Sequence, residues 1–178
     1  SFPLLSFLPR PSFAALLGVP LAGFVLRSSM PIISPRAPIG GSNPELENKP
    51  EQIEKCLSEG YDVEIDLRIH KSTNTLWLGH DEPQYIISWW WLASKSDKLW
   101  IHCKNTEAIS ALNDFPETHL LNYFWHQNDD VTLTSKGYIW AYPGKQPIKS
   151  SIAVLPEIHN DDTTHAIGIC SDNIKKYK

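Results

Sequence analysis

The segment Tyr61-Asp62-Val63-Glu64-Ile65-Asp66-Leu67-Arg68-Ile69 alternates charged and apolar residues almost without a break. Successive side chains of a β-strand point to opposite faces. One face therefore carries Val63, Ile65 and Leu67, and the other carries Glu64, Asp66 and Arg68. The apolar face must be covered by a second layer. The charged face must look to solvent or into the mouth of a curled sheet.

Seven further runs, 32–34, 75–79, 99–103, 119–124, 137–142, 151–155 and 166–170, are short, apolar or alternating, and bounded by turn residues. Helical patterns lie between some of them. Segment 50–59 opens on Pro50 and Glu51, carries Ile53, Cys56 and Leu57, and stops at Gly60. Segments 86–94 and 106–114 are two more candidates, the second ending ahead of Pro116. Strands alternating with helices predict a parallel sheet, and eight of them predict a compact (β/α)8 TIM-type barrel. Several of its helices would be shortened to loops, since 128–136 and 143–149 are too short or too polar to form them. The stretch from Met30 to Lys178 is well below the roughly 200–250 residues usual for that barrel. An open parallel sheet is the alternative.

The 178 residues suit one domain, expected over 30–178. Nine of the 14 prolines fall within residues 1–50, and an apolar run at 14–26 is interrupted by Pro20. Residues 1–29 are expected to be a targeting leader, upstream read-through or a disordered arm, with Met30 as the alternative start. Apolar runs stay short of the roughly 20 residues a spanning helix needs, which argues against an integral membrane protein. Sixteen basic residues against 20 acidic ones give a net charge of −4, which offers nothing to nucleic acid. Three cysteines, an odd number without metal-like spacing, argue against a disulfide framework or zinc cluster and favour the cytoplasm. A working leader would instead make the protein secreted.

Candidate chemistry gathers at strand ends. Two carboxylates at i and i+2, Glu64 and Asp66, sit about 6–7 Å apart along a strand. They can converge on one hard cation, Mg2+ or Ca2+, which favours oxygen ligands. His80, after Gly79, has an imidazole suited to proton transfer near neutral pH. His102 and Lys104 share a face at the end of another strand, and a lysine there can hold a phosphate as a point charge. Trp125, His126 and Trp140, near strand ends, are candidate pocket residues, although core packing explains most aromatics of this kind.

The order of these pieces resembles the glycerophosphodiester phosphodiesterase family, within the superfamily that includes phosphatidylinositol-specific phospholipase C. Ile32-Ile33-Ser34-Pro35-Arg36-Ala37 stands where the family has a strand followed by His-Arg-Gly. Asn43-Pro44-Glu45 to Glu51 stands at its Pro-Glu-Asn segment, Glu64-Ile65-Asp66 at its Glu-x-Asp, and Gly79-His80-Asp81 at its His-Asp. His102-Cys103-Lys104 keeps the lysine of Glu-x-Lys without its carboxylate, and Gly168 to Asp172 resembles the closing strand.

The resemblance implies a metal-dependent phosphoric diester hydrolase acting on a small glycerophosphodiester or phospholipid headgroup. Glu64 and Asp66 would hold the metal, Arg36 and Lys104 would neutralise phosphate, and His80 would be one of two proton-transfer histidines. The other falls on Pro35, which has no ionisable group. His102 or His126 could substitute, or His102 could be a metal ligand replacing the lost carboxylate. The alternative is a catalytically impaired fold that binds a phosphate ligand or serves as an interaction module.

Overall fold

The computed structural model describes residues 29–178, so the expected leader over 1–29 lies, save for Ser29, outside the described residues. In chain order the elements are β1 (Ile32–Pro35), α1 (Pro50–Ser58), β2 (Asp62–Ile69), β3 (Leu76–Leu78), β4 (Tyr85–Ile87), α2 (Trp89–Ser94), β5 (Leu99–Cys103) and α3 (Thr106–Asp114). They continue with β6 (Tyr123–Trp125), β7 (Val131–Leu133), β8 (Ile139–Ala141), β9 (Ser151–Val154) and β10 (Gly168–Cys170).

All ten strands belong to one curled sheet, a half-barrel rather than the expected (β/α)8 TIM barrel. Parallel ladders join β6, β5, β2, β1, β10, β9 and β8 in that order. Helices fail to alternate with them: three α-helices serve ten strands among the described residues. Three antiparallel pairings also break the repeat, β3 against β2, β3 against β4, and β7 against β8. The reason is local. A helix is expected over 86–94, but Tyr85-Ile86-Ile87 is β-branched and aromatic and pairs with Leu76–Leu78, so α2 starts only after Ser88. The Ser88 side chain accepts a hydrogen bond from Trp91 N and caps that helix.

Helices α1 and α3 cover the outer face. Ile53 and Cys56 from α1 and Ala108 and Leu112 from α3 pack with Val63, Ile65 and Leu67 of β2. The inner face is filled by a second cluster, Ile33, Trp100, Phe124, Trp140, Ile152, Val154 and Cys170. Trp140 lies with ring centroids 5.0 Å from Phe124 and 5.5 Å from Trp100, and Trp100 Nε1 donates to Asp62 Oδ2 at 2.8 Å. The acidic face of β2 thus points into the curl, above an aromatic floor. The two ends of the curl are tied by Ser135 N donating to Tyr123 O and by Thr132 Oγ1 donating to Trp125 O. No helix among the described residues is long and apolar enough to cross a membrane.

The turn after β3 needs glycine. Gly79 has φ 154°, and a Cβ there would lie 1.9 Å from Glu82 O. Backbone cannot yield that much locally, so Gly79→Ala should cost at least about 2 kcal/mol. Thermal denaturation of the variant against the parent checks this; an unchanged melting temperature would refute it.

Candidate functional site

Register across β1, β2 and β5 assembles the site. Asp66 pairs with His102 and Glu64 with Trp100 along the β2–β5 ladder, while Pro35 pairs with Glu64 along β1–β2. Paired residues point to the same face on strands roughly 4.8 Å apart. Asp66 and His102 therefore stand side by side near the carboxyl ends of parallel strands, the usual place for ligands in such sheets. Glu64 is one step behind, and Lys104, two residues past His102, is one step ahead.

One ligand atom from each of Glu64, Asp66 and His102 lies within 4.8 Å of the others, so this group could hold a metal ion. His102 Nδ1 is 3.5 Å from Asp66 Oδ1 and 3.7 Å from Glu64 Oε1. Arg36 Nε lies 3.5 Å from Asp66 Oδ2, and Lys104 Nζ lies 3.8 Å from Asp66 Oδ1. Five of the residues singled out from sequence, Arg36, Glu64, Asp66, His102 and Lys104, thus meet at one point.

Asp66 is 1% exposed. Its Oδ2 accepts a hydrogen bond from Asn48 Nδ2 at 2.9 Å, and its backbone N–H donates to Asn48 Oδ1 at 2.9 Å. Its Oδ1 is buried and accepts no hydrogen bond. An uncompensated buried carboxylate oxygen is costly, which calls for a cation or proton at that point. The two permanent cations are already shared: Arg36 Nη1 makes its short contact, 2.7 Å, with Glu47. Glu47, Glu64 and Asp66 are three carboxyl groups for two fixed positive charges. Burial and then the charge of Asp66 push the Glu64 carboxyl up, with His102 and Arg36 opposing. The donor set and the orphaned oxygen fit a bound cation.

His80 sits at the rim rather than inside this group. Gly79 N donates to Asp66 O at 3.0 Å, which brings the turn to the end of β2. Arg68 shares the inner face but serves that turn, its Nε donating to Gly79 O at 3.1 Å and its Nη2 to His80 O at 2.6 Å. His80 Nδ1 lies 2.8 Å from Asp81 Oδ1. His80 holds the Asp81 carboxyl below its usual range, with Lys104 and Arg36 adding to the effect. His126 contributes its backbone: its carbonyl accepts from His102 Nε2 at 3.4 Å, while its ring stacks on Tyr142 at 3.5 Å. Trp140 is buried in the inner cluster, and Trp125 packs against the outer one. Two surface clefts, about 410 and 360 Å³, run along Ile69, Lys71 and Glu107, and neither is lined by Glu64, Asp66 or His102.

Asn48 is the functional residue that sequence reasoning did not single out. It lies just ahead of α1 with φ 59°, a conformation asparagine tolerates better than most side chains. The signal for it is its place in the Asn43 to Glu51 segment, ahead of the helix that opens at Pro50. Tyr142 also faces this group; its hydroxyl is buried, and burial followed by the charge of Glu64 pushes its pKa up.

No family model, curated protein or solved structure matches the chain. Its function therefore has to be read from the geometry and chemistry of the site itself.

Replacing Asn48 with alanine strips both the Asp66 N–H and Asp66 Oδ2 of their partners. Each buried group left unpaired costs about 1–3 kcal/mol. Asn48→Ala should lower stability by roughly 2–4 kcal/mol in denaturant titration, whereas a loss below about half a kcal/mol would mean that Asn48 does not hold Asp66.

Proposed function

We propose that this chain is a metal-dependent phosphoric diester hydrolase of the glycerophosphodiester phosphodiesterase type, acting on a small diester such as a phospholipid headgroup. The observation that carries the reading is the convergence of Glu64, Asp66 and His102 with Arg36 and Lys104 at one buried point. Such a set suits a substrate that is anionic and reacts through a transition state with more charge on its oxygens.

A divalent cation held by Glu64 and Asp66, with Mg2+ and Ca2+ as the ions two carboxylates favour, would supply Lewis-acid polarisation of the phosphoryl group. Arg36 and Lys104 offer N–H donors to phosphoryl oxygens, and fixed donors of this kind stabilise developing charge without reorganising. His80, half-buried at the rim and backed by the Asp81 carboxylate, would take a proton from an attacking hydroxyl or water. Asn48 holds Asp66 from below.

A second reading has its own observation behind it. Position 35, where the family has its other proton-transfer histidine, is proline. Ile33 belongs to the inner cluster, so by the period of two the residue at 35 also faces the curl, opposite Glu64. A side chain there cannot move a proton, and the fold would then bind a phosphate ligand without turning it over.

One assay separates the readings: hydrolysis of glycerophosphocholine by the full chain with added divalent cations. The hydrolase reading expects turnover, with Glu64→Ala and Asp66→Ala abolishing it and His80→Ala lowering kcat by about 10²–10⁴. Pro35→His should raise kcat by a factor of up to about 10². Activity unaffected by all three alanine variants would refute the assigned site. No turnover in the parent, together with no gain in Pro35→His, would favour the binding module.

A further inference from the structure

The resemblance and the two carboxylates call for a hard ion, yet the third group at the centre is an imidazole. We infer that His102 ligates the metal through Nδ1, so that the centre takes a borderline first-row ion such as Co2+ or Zn2+ in preference to Mg2+ or Ca2+. This rests on the reading of Glu64, Asp66 and His102 as a metal centre, and it adds the identity of the ion class.

Three observations fix the orientation of the ring. His102 stacks on Phe124 with centroids 4.9 Å apart and planes 16° from parallel. Its Nε2 faces the His126 carbonyl oxygen at 3.4 Å. A carbonyl can only accept, so Nε2 carries the hydrogen, and Nδ1 is the nitrogen left to present a lone pair to a cation. That lone pair faces Asp66 Oδ1 and Glu64 Oε1. Three electron-rich atoms therefore point at one another in a buried space, and one of them, Asp66 Oδ1, accepts no hydrogen bond.

The spacing argues against a plain ion pair. A charge-assisted N–H···O bond draws its atoms to about 2.7–2.9 Å. The observed separations are 3.5 and 3.7 Å. Two ligands of one ion, each bonded at about 2.0–2.4 Å, stand roughly 3–3.5 Å apart, close to the nearer of these values. A carbonyl on the far nitrogen of a ligating histidine is also the usual device for fixing its tautomer and orientation.

The donor set then decides the class of ion. Ca2+ takes 6–8 oxygen ligands, and Mg2+ is bound through carboxylates while keeping several waters. Neither gains from a neutral nitrogen. Imidazole favours Zn2+ and its first-row neighbours, and affinity along the row rises from Mn2+ through Co2+. A neutral third ligand also leaves the centre with less negative charge than a third carboxylate would, which weakens the attraction for hard ions most.

The test uses the full chain stripped of metal by a chelator and loaded with Co2+. A ligating His102 gives one hyperfine-shifted, solvent-exchangeable imidazole N–H proton in the NMR spectrum, from Nε2–H. His102→Gln removes it. By calorimetry, that variant should weaken Co2+ and Zn2+ by roughly 10–100-fold, the range for disturbing a metal's ligand shell. Mg2+ and Ca2+ should bind more weakly than Co2+ to the parent and change by less than about threefold in the variant, since their oxygen ligands remain. Co2+ bound without the shifted proton overturns the inference, as does Mg2+ or Ca2+ binding tighter than Co2+ and Zn2+. Both results leave a metal-dependent hydrolase standing. If no ion of either class binds, the inference and the metal centre fail together. The proton is read in the parent protein, so the experiment decides the matter even if His102→Gln does not fold.

Discussion

Burying Asp66 is the constraint around which the rest of the molecule is arranged. Taking an isolated ionised carboxylate out of water costs several kcal/mol even after relaxation, so its surroundings must answer it. Asn48 gives it one hydrogen bond and takes another, Arg36 and Lys104 approach from two sides, and His102 turns a nitrogen towards it. These groups come from β1, β5 and the segment before α1, all of which pack on β2. Strand β2 is therefore both the hub of the sheet and the floor of the site. A slip of one residue would bring Val63, Ile65 and Leu67 into the curl and drive Glu64 and Asp66 under α1 and α3. Register, core and site are consequently one choice.

Within the curl the inner face is layered. Trp100, Phe124 and Trp140 fill the lower part, and Asp62 is tied to Trp100 there. The charged groups sit above, where the parallel strands end. An aromatic floor limits the water that can reach the carboxylates from below and leaves the mouth as the approach. A low local dielectric strengthens every charge interaction in that mouth, in favour of a bound cation and against any unpaired group.

Much of the site is legible in the sequence because it rests on local periodicity. The alternation over 61–69 places Glu64 and Asp66 on one face, and the patterns over 50–59 and 106–114 fall on α1 and α3 almost residue for residue. The architecture is less legible. A period of two reports a strand without its direction, so Leu76–Leu78 reads as a parallel barrel strand although it folds back on β2. Val131–Leu133 and Tyr85–Ile87 escape a periodic reading because three residues are too few to show a period. His102 stands out in the sequence, but its role there stays open between proton transfer and ligation. That choice depends on which nitrogen the His126 carbonyl engages, a contact 24 residues away in sequence.

Backbone strain bears on whether this cluster is a site or a well-satisfied piece of core. Arg36, Ala37 and Asn48 all lie at positive φ, 55°, 78° and 59°. Conformations of this kind cost of order 1–3 kcal/mol each for residues other than glycine. They are locked together, since Arg36 N donates to Glu64 O at 2.8 Å and Asn48 N donates to Arg36 O at 2.9 Å. All three lie in the segment that delivers Arg36 and Asn48 to Asp66. A core that merely needed filling would gain nothing from holding the chain this way, because apolar packing can be met by relaxed backbone. Strained backbone beside a buried carboxylate suits a preorganised ligand site, with side chains fixed in place in advance of any ion and the cost met by the ladders of β1, β2 and β5.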